Sequence, residues 1–144
     1  MIEPDTIKLL RECDAGIKMG VQSIDDVLDR VKDSDLQQLL NACKDEHNKL
    51  DKELQQLLGQ YEDEGKDPNF MAEQMAKIKT KMKLQMDETD HTIADLITDG
   101  CNMGVKSLNQ YLNQYAAADE KSKDIAKRLI NLEGQLALDI RKFL

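Results

Sequence analysis

One stretch of this chain is written twice. Residues 16–31 read GIKMGVQSIDDVLDRV and residues 100–115 read GCNMGVKSLNQYLNQY. At a constant displacement of 84, six positions are identical: Gly16/Gly100, Met19/Met103, Gly20/Gly104, Val21/Val105, Ser23/Ser107 and Leu28/Leu112. A repeat of this kind speaks to architecture before composition does, because it points to one structural unit built twice. Both copies sit on helical seams. Leu10, Cys13, Ile17, Gly20, Ile24, Val27 and Val31 advance by alternating steps of three and four, as do Ile97, Cys101, Gly104, Leu108, Tyr111 and Tyr115. That rhythm is a bundle seam. Glycine inside a helix costs roughly 1 kcal/mol relative to alanine, so the four repeat glycines cost about 4 kcal/mol together. Two arrangements offset such a cost: close approach of two helices at Gly20 and Gly104, or room left there for a bulky side chain or a ligand. A membrane dimer motif is a poor reading of this spacing, because no apolar 20-mer surrounds it.

The rest of the chain supports a helical reading. Each apolar seam is bounded by turn chemistry, which predicts helices over 5–32, 34–62, 70–115 and 119–143. Pro4, Asp5 and Thr6 are expected to start and cap the first helix, and Asp33 or Ser34 to cap the second. The run Glu62-Asp63-Glu64-Gly65-Lys66-Asp67-Pro68-Asn69 is the clearest loop. A continuous helix over 70–115 would be about 69 Å long, far longer than its neighbours. It must therefore kink near 87–90 or send its first half out as an arm or crossover. Met71, Met75, Ile78, Met82 and Met86 form the apolar face of that first half, and Lys77, Lys79, Lys81 and Lys83 scatter over its polar surface. The expected architecture is one all-α domain over 1–144: hairpin 1 at 5–62, a long helical crossover at 63–88 and hairpin 2 at 89–144.

Composition narrows the function classes. The chain has 144 residues, enough for one domain with a real core. A net charge of −8 argues against nucleic acid or an anionic membrane surface as a partner. Neither a signal sequence nor a run of about 18 apolar residues is present, so a cytoplasmic protein is expected. Cys13, Cys43 and Cys101 are odd in number and lack C-x-x-C spacing, which reads as buried reduced thiols. A thiol sensor using these three residues is a weaker alternative. No nucleophile motif, phosphate-binding loop or paired catalytic carboxylates stand out, so no catalytic or cofactor-binding residue is assigned.

Taken with the architecture, the phrase His91-Thr92-Ile93-Ala94 followed by Met103-Gly104 resembles small uncharacterised bacterial ferritin-like proteins. The resemblance implies an up-down-down-up four-helix bundle with a crossover. In metal-binding members it also implies a di-iron or di-manganese carboxylate centre. Such a centre takes a Glu from each of two helices and Glu-x-x-His from the other two. This chain departs from that pattern. Glu46 and His47 are adjacent, about 100° apart around a helix. Glu133 is followed by Leu136 where the histidine would stand. The one Glu-x-x-His is Glu88 with His91.

Two function classes follow. The first is a non-enzymatic bundle that works by protein association, with a homodimer as the expected state. The second is an unusual ferritin-like protein binding iron, manganese or zinc through an incomplete set, with Glu46, His47, Glu88 and His91 as the metal candidates. Each candidate has a plainer reading. His47 in a leucine-rich seam reads as a buried histidine bonded to a neighbouring Glu or Tyr. Glu88 and His91 read as a surface pair. Glu12 and Asp14, flanking the first seam, read as exposed.

Overall fold

The computed structural model describes residues 3–68, 77, 80, 84 and 89–144. Its four long helices are α1 (Pro4–Leu28), α2 (Ser34–Gln60), α3 (Asp90–Gln114) and α4 (Glu120–Asp139), and a 3-10 turn over Ile140–Phe143 follows. No strand occurs among the described residues. No described helix is long and apolar enough to cross a membrane.

Three of the four long helices, α2, α3 and α4, begin where a side chain satisfies free amide groups. The Asp33 carboxylate accepts from Asp35 and Leu36 N–H at the start of α2. Thr89 accepts from Thr92 N–H for α3, and Asp119 from Ser122 N–H for α4. Thr89 has extended backbone angles (φ −89°, ψ 155°), so the helical course expected over 70–115 breaks there rather than running on. Lys77, Thr80 and Leu84 are helical, and Leu84 is buried. The methionine face at Met71, Met75, Ile78, Met82 and Met86, with Lys79, Lys81 and Lys83, lies outside the described residues.

The helix starts show how the chain is threaded. Asp90, first residue of α3, accepts from Lys32 and Asp33 N–H at 2.9 and 2.8 Å. That places the start of α3 against the α1–α2 turn. At the opposite end, Thr6 Oγ1 accepts from Asp119 N–H at 2.9 Å, and Asp5 accepts from Ala117 N–H at 3.1 Å. Tyr61 O–H donates to Asp119 there as well. Asp5 and Thr6 thus cap the α3–α4 turn instead of their own helix, whose N-cap Glu3 makes no side-chain bond. It follows that α1 and α4 run one way and α2 and α3 the other. The segment between Tyr61 and Thr89 connects opposite ends of a bundle about 40 Å long, the length of α2.

That connection starts with a pinned loop. Glu62 and Gly65 have positive φ (54° and 80°), and Arg11 grips Asp63 with two bonds of 3.1 and 2.6 Å. Lys66 bonds Glu12, and Lys18 bonds both Asp14 and Asp67. Asp14, expected to be exposed, is fully buried. Its carboxylate accepts from Lys66 N–H, Gln55 and Lys18, so burial leaves it fully partnered.

The core falls into two apolar clusters. One gathers Leu9, Cys13, Ile17, Leu54, Ile125 and Leu129, among others. The other gathers Ile24, Leu36, Leu40, Ile93, Ile97 and Leu136 with Cys43 and Cys101. In each hairpin the two helices pack on one another; across the hairpins α1 packs on α3 and on α4, and α2 packs on α4.

Candidate functional site

Between the apolar clusters lies a polar centre. The α2 seam carries Cys43 and His47 one turn apart between Leu40 and Leu50. The α4 seam carries Glu133 between Leu129 and Leu136. Relative exposure is 1% for His47 and 8% for Glu133. His47 Nδ1 lies 2.8 Å from the Cys43 carbonyl oxygen and 3.5 Å from Cys43 Sγ. A carbonyl oxygen only accepts, so Nδ1 carries a hydrogen. His47 Nε2 lies 3.1 Å from Glu133 Oε1. The Cys101 thiol, on α3, lies close enough to Glu133 to feel its charge.

Burial opposes a charge on His47. The hydrogen bonds with Cys43 and Glu133 and the negative charge of Glu133 outweigh it and raise the imidazole from 6.5 to about 10. The pair is therefore an imidazolium–carboxylate ion pair across α2 and α4. Burial, reinforced by Glu133, pushes the Cys101 thiol up. Burial, with Glu12 and Asp14 nearby, pushes Cys13 up to about 12. Cys13 and Cys101 are thus held as protonated thiols, poor nucleophiles. All three cysteines are free and buried.

The repeat glycines frame this centre. A methyl group at Gly20 would lie 2.9 Å from His47 Nε2 and 3.1 Å from Glu133 Oε1. One at Gly104 would lie 3.5 Å from Glu133 Cδ. Of the two arrangements that offset glycine in a helix, the second holds here: the space at Gly20 is filled by a bulky side-chain pair.

The metal candidates disperse. His47 is central, but its neighbour Glu46 is exposed and bonds Lys49 at 3.0 Å. His91 is exposed, second residue of α3 at one end of the bundle. Glu88 lies outside the described residues. Among the described residues, no three His, Cys, Asp or Glu side chains are grouped to hold an ion. His47 meets Glu133, a residue that the sequence marked only as half of an incomplete ligand motif. A signal for the meeting existed. Displacing the buried α2 positions Leu36, Leu40, Cys43, Leu50 and Leu54 by the His47–Glu133 separation of 86 gives Ser122, Ala126, Leu129, Leu136 and Ile140, all buried. His47 and Glu133 are equivalent positions of the two hairpins.

On the surface, a shallow groove of about 130 Å³ runs between α1 and α3, lined in part by Met19, Val27, Leu96, Gly100 and Met103. No protein-family model, curated protein or solved structure matches the chain.

Proposed function

We propose that this chain is a ferritin-like bundle of the cytoplasm that acts by association with protein, a second copy first, and has no catalytic centre of its own. The helix directions and the end-to-end connection support the ferritin-like reading. The observation that carries association is the exposure of the second repeat copy at Met103 and Gly100. Met103 is 70% exposed, and among the described residues no atom stands within 4 Å of a methyl placed at Gly100. A glycine that weakens a helix without serving its own chain's packing suits approach by another chain. Light scattering across a concentration series tests this. A dimer that Met103→Glu returns to monomer is expected; a compact monomer at every concentration overturns it.

One observation favours the metal reading instead. The His47 Nδ1–H bond to a backbone carbonyl is the orientation that ligating histidines adopt, and Glu133 lies at Nε2. An iron, manganese or zinc ion there would have to expel a proton held with a pKa of about 10. At neutral pH that weakens binding by about a thousandfold. Elemental analysis of untagged protein grown with all three metals is expected to find none. Stoichiometric metal that disappears in His47→Ala would establish the metal reading.

A further inference from the structure

The two hairpins are built to one plan, which raises a recognition problem. Equivalent helices face one another across the bundle, α1 against α3 and α2 against α4. Equivalent residues therefore meet at its centre, as His47 and Glu133 do, 86 residues apart at 3.1 Å. The core residues that flank the pair, Leu50 and Leu54 with Leu129 on one side and Cys43 with Leu136 and Ile140 on the other, carry no charge. They have little with which to distinguish hairpin 1 from hairpin 2. A bundle of two first hairpins would bring His47 against His47. A bundle of two second hairpins would bring Glu133 against Glu133. Each places like groups in a buried layer without their partner, an arrangement strongly disfavoured. Only the mixed pairing makes the ion pair.

We infer that the His47–Glu133 pair is a recognition code. It makes the first hairpin bind a second hairpin and refuse another copy of itself. A single buried polar contact is known to select partner and register in helical assemblies at some expense of stability. The glycine at position 20 belongs to the same device, because a side chain there would occupy the space of the pair. The inference does not depend on the association or the metal reading.

The test uses two full-length variants. Glu133→His places an imidazole on both hairpins, and His47→Glu places a carboxylate on both. Each is expected to melt lower than the native chain when alone. The two are then unfolded together, refolded as a mixture and sized. Chains of opposite sign can exchange hairpins, so the 1:1 dimer is expected to outweigh the two self-dimers together by about tenfold, where random pairing gives an even split; one coupling of ordinary size supplies that ratio. If the variants do not fold separately, recovery of helix in the mixture alone supports the code. A mixture that behaves as the sum of its parts, or fails to refold with both charges present, overturns it. So does a pair of variants that each fold as stably as the native chain.

Discussion

The two copies of the repeated phrase share six residues but not their surroundings. In the first copy, a methyl at Gly16 would lie 3.5 Å from Leu129, and one at Gly20 would press on the His47–Glu133 pair. In the second, a methyl at Gly104 would make ordinary contact with Glu133, and one at Gly100 would meet no described atom within 4 Å. Met19 is half-buried, whereas Met103 is exposed. The difference follows from one diagonal of the bundle. Helix α1 packs on α4 as well as on its other neighbours, while no comparable packing joins α2 to α3. A duplicated sequence has thus been given two jobs: the first copy makes room at the core, and the second leaves a face outward. The lesson is that sequence equivalence reports backbone and seam, not what the side chains meet.

The largest break in this comparison comes from removing one side of the pair. His47→Ala or Glu133→Ala leaves a buried group without its partner, at a cost of about 3–5 kcal/mol. Urea denaturation measures it. The double variant should cost less than the sum of the two, since the cost is shared; strict additivity would mean that the side chains act independently.

A smaller effect comes from titrating the pair while leaving its packing intact. The folded-state pKa of His47 lies above its ordinary value, so the pair contributes fully below 6.5. The contribution is lost as pH rises through about 10. Unfolding midpoints should fall across that window, and Glu133→Gln should flatten the fall. An unchanged midpoint between pH 6 and 10 would mean that His47 is neutral in the folded chain.

The glycines sharpen the comparison by sign. Gly20→Ala should destabilise by about 1–3 kcal/mol, because overpacking a filled site outweighs the gain in helix propensity. Gly100→Ala, at an open site, should stabilise by up to about 1 kcal/mol. Thermal melts of the two variants decide the matter, and shifts of the same sign would erase the distinction between the copies. If a second chain does approach Gly100, its alanine variant should stabilise the monomer and weaken the dimer.

Much of this architecture was written in the seams. The periodicity of α2 puts Leu36, Leu40, Cys43, His47, Leu50, Leu54, Leu57 and Tyr61 on one face; the first six are buried, while Leu57 and Tyr61 are half-buried and Leu58 is buried beside them. The break expected near 87–90 falls at Thr89, where a side-chain oxygen can cap an amide more locally than a helix can continue. Asp14 was misread because a charge beside a seam is normally solvated. Here a distant loop supplies Lys66 N–H, and no local pattern announces that donor. The Glu46–His47 adjacency was similarly misleading, since neighbours on a helix face different directions: one reached solvent and the other the core.

From the sequence alone came the helices, their approximate ends, the two-hairpin plan and the demand that something occupy the space at Gly20. These depend on local propensities and on periodicities of three and four residues, which a linear reading contains. The occupant, the unequal fates of Gly16 and Gly100, and the pairing of His47 with Glu133 were decided by tertiary structure. Each depends on which distant residues arrive at the same level of the bundle, 86 positions away for His47 and Glu133 and 113 for Gly16 and Leu129. That register is set jointly by the turn between α3 and α4, the pinned loop after α2 and the diagonal packing of α1 on α4. A charge buried in that register has its energy fixed by the partner it meets, not by the helix that carries it.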